Sequence, residues 1–509
     1  MPYLIGVDIG TTGTKALLIT DGGTLVASAT EEYPLLTPRP GWAEQNPEDW
    51  WQATVRAIRG CLAKAGVGRG EVKALGLSGQ MHGSVFLDGS GEVIRPALLW
   101  CDQRTGPQCD WINETAGEAL VVSETANPVL TGFTAPKIIW LRQNEPDNYA
   151  LMRKCLLPKD YVRFMLTDEF HSEVSDASGT ALFNVKKRRW STALMDKLDL
   201  DPSLFAEVHE SPVASATISA SASEATGLPP GTLVVGGGGD QAAGAVGNGI
   251  VRPGAVSSTL GTSGVLFAFL DEPLVDPKLR THTFCHAVPG KWHVMGVMLS
   301  AGGSFRWLRD ALCAQERDIA ANAGCDPYEV MCQEAAAAPA GCEGLVFLPY
   351  LTGERCPYPD PNAKGVFFGL HLRHQRAHLI RAVMEGVAYG MKDSFDILDA
   401  MGVPMTQVRA SGGGARSPLW RRINADVTGK AHSLVNVEEG PALGVALLAG
   451  VGAGVWATVE EACDAAIHLT TTTEPDPDRQ ALYAGYHAVY RHLYADLRDR
   501  FGDIAALTA

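Results

Sequence analysis

The chain is 509 residues long, beyond the ~250 to 300 residues at which one hydrophobic core stops growing, so two large lobes are expected. Hydrophobic residues at 46% and charged residues at 19% exclude a disordered chain, and 55 Gly with 30 Pro stay below a low-complexity composition. A net charge of −15 lacks the basic footprint of a nucleic-acid binder, and 11 scattered Cys with no C-x-x-C pair read as reduced thiols of a cytoplasmic protein.

In chain order, Tyr3 to Val7 reads as a strand, Asp8 to Lys15 as a tight loop, and Ala16 to Ile19 as a second strand. This opening carries Asp8 and no basic region before an apolar run, so no export signal is expected. Leu233 to Val235 reads as a buried strand that enters Gly236 to Gly239 and Asp240, followed by helical spacing from Gln241 to Val246. A lobe boundary is expected after residue 247, dividing the chain into 1–247 and 248–509. Past it the strand-loop-strand device recurs: Ala255 to Leu260, Gly261-Thr262-Ser263-Gly264, Val265 to Leu270. His378 to Leu398 has helical periodicity, and Val408 to Ser411 enters Gly412 to Gly414 ahead of a helical stretch from Pro418 to Val427. Gly440 to Val459 is uncharged over the length of a membrane span. Its glycines at 450, 452 and 454 and its lack of basic or aromatic flanks predict a buried soluble helix and a loop instead. Short strands alternating with helices predict an α/β fold of two related lobes.

The two hairpin loops suit phosphate. Gly10 and Gly13 remove side-chain bulk, Thr11, Thr12 and Thr14 supply hydroxyls and Lys15 a cation, and Gly261-Thr262 repeats the chemistry. Neither loop fits the P-loop pattern, and no G-x-G-x-x-G follows a strand, so another nucleotide fold is required. Asp8, at a strand end, suits the water shell of Mg²⁺ or the capping of a turn. Asp240 suits a general base for a hydroxyl attacking a γ-phosphate, or a helix N-cap.

Taken together these motifs resemble the FGGY family of carbohydrate kinases over essentially the whole chain. One signature is similar to Gly132-Phe133-Thr134-Ala135-Pro136-Lys137-Ile138-Ile139-Trp140-Leu141, the other to Gly365-Val366-Phe367-Phe368-Gly369-Leu370 with His378 to Glu385. The resemblance implies two actin-like, ribonuclease H-like ATPase lobes around a central cleft, with ATP and Mg²⁺ on one side and a sugar on the other. It implies Asp240 as catalytic base, Asp8 facing the metal, and Thr11, Thr12, Gly13, Thr14 and Lys15 at the γ-phosphate. Gly261, Thr262, Gly302, Arg306, Gly413 and Gly414 match positions that embrace the nucleotide. Gly79-Gln80-Met81-His82-Gly83 is similar to the form found in members that phosphorylate D-xylulose at its 5-hydroxyl, where glycerol-specific members carry Arg-Glu. Met81, His82, Trp100, Asp102 and Gln241 are therefore the expected sugar contacts. Gln241 departs from that branch, which commonly has Asn after the base. A related ketose or polyol is the alternative substrate, and a non-phosphorylating actin-like ATP-binding protein the alternative class. Asp240 together with Met81-His82 argues against the latter. A homodimer, with no membrane or nucleic-acid partner, is the family expectation.

Overall fold

The structure, a computed structural model, describes residues 2–437 and 439–508. Its first lobe starts with Tyr3–Ile9 (β1), which turns through residues 10–12 into Gly13–Thr20 (β2) and then Leu25–Glu32 (β3). The ladder pairs Asp8 with Lys15 and Ile9 with Thr14, so the connecting loop is shorter than the sequence suggested. Helix α1 (Pro47–Ala65) is opened by the Asn46 side chain on the Glu48 N–H, with Pro at its start, and buries Trp50, Ala53, Ala57 and Ile58. Strand β4 (Val72–Gly79) then runs parallel to β1.

An insertion follows that holds α2 (Thr134–Asn144), β5 (His171–Glu173), the single turn α3 (Val174–Ala177) and β6 (Glu207–His209). Strand β7 (Leu233–Val235) returns to the sheet parallel to β4, giving the order β7-β4-β1-β2-β3, and α4 (Asp240–Gly247) leaves it.

The second lobe is built from β8 (Gly254–Leu260), β9 (Gly264–Leu270), β10 (Trp292–Met298), α5 (Gly302–Leu312), α6 (Arg376–Ala400), β11 (Met405–Ser411), β12 (His432–Val435), α7 (Gly440–Gly452) and α8 (Pro477–Thr508). The middle five strands of its seven-stranded sheet have the order β10-β9-β8-β11-β12, antiparallel across the first three and parallel from β8 to β12. This is the strand pattern of the first lobe, so the repeated hairpin in the sequence is a repeated topology in the fold.

The lobes interlock through α4 and α7. Although α7 follows the second sheet in sequence, it packs on the first. A Cβ on Gly6 would lie 1.9 Å from the Ala442 carbonyl oxygen, and one on Gly76 would lie 2.1 Å from that of Val445. Helices α4 and α7 meet with equal closeness, since a Cβ on Gly444 would lie 1.8 Å from the Ala243 oxygen. Only glycine permits backbones to approach in this way. The apolar stretch from Gly440 is thus core, and its helix runs through Gly450 to Gly452, where the Trp456 ring fills the space a larger residue at 450 would need. Among the described residues no helix is long and apolar enough to cross a membrane.

Candidate active site

Between the lobes lies a cleft of about 380 Å³ lined by Asp8 and Lys15 of the first hairpin, Asp240 and Gln241 at the start of α4, Ser257 and Thr259 of β8, and residues 411–413 after β11. The glycines before Asp240 let the chain lie flat along β4. Gly237 has φ +78°, and a Cβ there would sit 1.9 Å from the Leu77 oxygen. Gly238 and Gly239 continue the pairing beside Ser78 and Gly79. Asp240 therefore opens its helix from a rigid shelf, and the capping position falls on Gly239 instead.

Burial, and then the charge of Asp8, pushes the Asp240 carboxyl from 3.8 up to about 7, while the N–H groups of Gln241 pull the other way. Burial likewise raises Asp8 to about 6 against the Ser78 hydroxyl and the Lys15 charge. Two neighbouring carboxyls whose ionisation is opposed by their surroundings mark a site poised for cation binding or proton transfer. The Oδ1 of Asp8 is buried and has no hydrogen-bond partner among the described residues, which suits a hydrated divalent cation. Across the cleft, Ser257, Thr259 and Ser411 form a row of hydroxyls, with Oγ to Oγ1 distances of 3.2 and 2.8 Å.

Of the Met81-His82 loop, Met81 lies against the glycine that precedes Asp240. Met81 is buried against Gly239, where a Cβ would meet its Cγ at 2.8 Å. The His82 Nδ1 lies 2.7 Å from the Gly179 carbonyl oxygen, and its ring centroid is 4.6 Å from that of Phe133. Burial drives His82 down to about 3, so the ring is neutral at any ordinary pH. Trp100, 40% exposed, donates its Nε1–H to Thr11 Oγ1 at 3.0 Å and ties the cleft rim to the first hairpin. Thr12 and Thr262 sit exposed at the two hairpin tips, and Gly13 and Gly261 give them their tight turns. Lys15 reaches across to pair with Glu439.

Five expected site residues are engaged within the protein or stand outside the cleft lining. Thr14 is fully buried beside Tyr33, because strand alternation turns it to the core when Lys15 faces the cleft. Asp102 is also fully buried, its oxygens taken by Arg104 and by the Ala43 N–H at 2.7 Å. Both carboxylate oxygens are thus engaged inside the protein. The Gly302 N–H is spent on the Gly261 oxygen at 2.8 Å, bracing α5 on the second hairpin. Gly414 packs on Leu260 and Trp420 while Gly413 lines the cleft. Arg306 is on the exposed face of α5, near Asp310 and Tyr328 and outside the cleft lining.

Four further residues were not singled out as site residues from sequence. Lys137, fully buried, donates to the His82 oxygen at 2.8 Å and the Gly132 oxygen at 2.7 Å, holding the Met81-His82 loop by its backbone. Its place in the stretch from Gly132 to Leu141 was the available signal. Ser175 accepts the Gly239 N–H at 3.1 Å and so supports the shelf under Asp240. Gln80 and Gln45 join at 2.9 Å, with Gln45 also bonding the Thr11 oxygen at 2.7 Å.

Residues 3–247 match the N-terminal domain, and residues 256–453 the C-terminal domain, of the FGGY family of carbohydrate kinases. The chain belongs to that family, and its chemistry is ATP-dependent phosphorylation of a sugar. It is 39% identical to the xylulose kinase of Escherichia coli K12 over 97% of this chain and 99% of that one. The crystal structure of xylulose kinase from Rhodospirillum rubrum superposes with a TM-score of 0.89 at 31% identity, covering 98% of this chain and 100% of that one. The gluconate kinase of Lactobacillus acidophilus gives 0.91 at 25% identity, covering 99% of each.

Proposed function

We propose that this enzyme transfers the γ-phosphoryl group of ATP to the C5 hydroxyl of D-xylulose. The observation that carries the reading is Asp240, a carboxyl lifted to about 7 on a shelf shared with Met81 of the sugar loop. In its ionised form Asp240 takes the proton of the C5 hydroxyl as that oxygen bonds to the γ-phosphorus and the bond to the β-phosphate oxygen breaks, releasing ADP. Met81 gives an apolar surface, neutral His82 a hydrogen bond, and Trp100 a half-open wall. Lys15 and the hairpin tips face the phosphates, with the hydroxyl row on β8 and β11 opposite. Asp8, with its unpartnered oxygen, would hold Mg²⁺ through water, and the ion would offset phosphate charge.

The likeness to a gluconate kinase favours a second reading, phosphorylation of a related ketose, polyol or sugar acid on the same machinery. ADP release from the purified enzyme over pentuloses, hexuloses, polyols and aldonates, with the phosphorylated carbon identified, decides between them. The highest kcat/KM on D-xylulose with phosphate on C5 is expected. A tenfold preference for another compound would replace xylulose and leave the Asp240 chemistry standing.

A further inference from the structure

Outside the cleft lining, strands β5 and β6 pair in parallel with Glu207 opposite His171 and His209 opposite Glu173. Residues two apart on a strand share a face, so Glu207 and His209 lie on one side together with His171. One ligand-capable atom from each of these three residues lies within 4.8 Å of the other two. The His171 Nδ1 is 2.9 Å from the His209 Nε2, and the ring centroids are 4.9 Å apart.

Behind His171 stands a second carboxylate. Its Nε2 is 3.1 Å from Glu169 Oε2. With the proton on Nε2 donated to Glu169, the Nδ1 lone pair faces His209 and Glu207. A carboxylate on the far nitrogen is how proteins orient imidazoles that ligate metals. Two imidazole nitrogens and one carboxylate oxygen suit Zn²⁺ and its neighbours, whereas Mg²⁺ takes oxygen ligands almost alone. The local charge agrees, with the carboxylates of Glu169 and Glu207 against the Arg163 guanidinium, which is occupied by the Val235 oxygen and Ser215. The side chain of His171 keeps 15% of its surface exposed and that of Glu169 54%, which leaves a route from solvent.

We propose that His171, Glu207 and His209 form a binding site for a divalent transition-metal ion, Zn²⁺ foremost, with Glu169 as the orienting partner and water completing the coordination. The ion would fasten β5 to β6. Strand β5 runs directly into Glu173, whose carboxylate holds the N–H groups of Ser175 and Asp176 at 2.6 and 2.8 Å. Ser175 in turn carries the shelf of Asp240, so the fastening steadies a support of the catalytic residue without touching substrate.

The test is calorimetric titration of ZnCl₂ into the metal-free full-length enzyme, without nucleotide, beside melting curves with and without the ion. One Zn²⁺ per chain is expected, with a rise in melting temperature of ~3 to 5 °C at a hundredfold excess over Kd, and no competition from millimolar Mg²⁺. Glu169→Gln, a surface change, should weaken Zn²⁺ about 10- to 100-fold while leaving metal-free sugar phosphorylation at the wild-type rate. His171→Ala with His209→Ala should abolish binding, and if that pair does not fold, Glu207→Gln takes its place. No binding, as expected of a plain Glu169-His171-His209 hydrogen-bond chain, overturns the proposal. So does Zn²⁺ binding that these changes leave unaltered, which would put the ion on cysteines or on the Asp393-Asp396-His487 cluster.

Discussion

At the scale of residues, the cleft is a set of groups whose ordinary protonation has been displaced. On the proposed mechanism Asp240 must be ionised to accept a proton, and with its pKa raised to about 7, lowering the pH through that value would remove the base. The sugar kcat/KM should accordingly fall on the acid side of ~7, and Asp8→Asn, by deleting the neighbouring charge, should move whatever limb remains to lower pH. Asp240→Asn keeps the shape and loses basicity, so turnover should drop at least ~10²-fold with ATP binding intact, and a loss of only ~3-fold would dismiss it as the base. His82 is neutral throughout, so His82→Ala should leave the shape of the pH profile alone while lowering kcat/KM for the preferred sugar roughly 5- to 150-fold. Equal losses for every sugar, or a change confined to the KM for ATP, would assign His82 to the fold. Asp8, Asp240 and the Met81-His82 pair could be singled out as candidates because each carries an unusual chemistry at a loop. The partners of Asp102 could not be read, because an acidic residue beside an aromatic looks alike whether it faces a cleft or an arginine, and only the fold shows Arg104 on it.

At the scale of elements, hairpins and glycine runs were readable from local sequence, since a tight turn needs small residues wherever it stands. Packing partners were not. That Thr14 faces inward follows from where the hairpin stops, and the ladder extends pairing to Ile9 and Thr14. Gly444 shows what depends on such contacts. A methyl there would collide with the Ala243 oxygen, so Gly444→Ala should lower stability by ~1 to 3 kcal/mol or more, seen as a lower urea midpoint. Gly485, exposed within α8 with open space about it, is the control: Gly485→Ala should stabilise by ~0.5 to 1 kcal/mol. Equal responses at the two positions would mean that α4 and α7 separate without cost.

At the scale of the whole molecule, the two-lobe α/β fold was visible in chain length and in the repeated hairpin, but the crossing of α7 onto the first sheet was not, because nothing local says which sheet an apolar helix will cover. This crossing makes a prediction. A fragment of residues 1–247 lacks the helix that covers β1 and β4, so expressed alone it should be aggregation-prone and bind 8-anilinonaphthalene-1-sulfonate. A peptide spanning residues 436–456, added in trans, should reduce both effects, and a monomeric, cooperatively unfolding 1–247 fragment would contradict the packing. A different kind of dependence follows from Met81 resting on Gly239. On the proposed mechanism, substrate range and speed share one piece of backbone, so redesigning the enzyme for another sugar is not a matter of reshaping a pocket. Replacing Met81 would shift the ground beneath the Asp240 carboxylate, and variants selected for a new substrate through that position are expected to start slow whichever sugar they prefer. Libraries that keep Met81 and vary the open rim around Trp100 can separate the two properties.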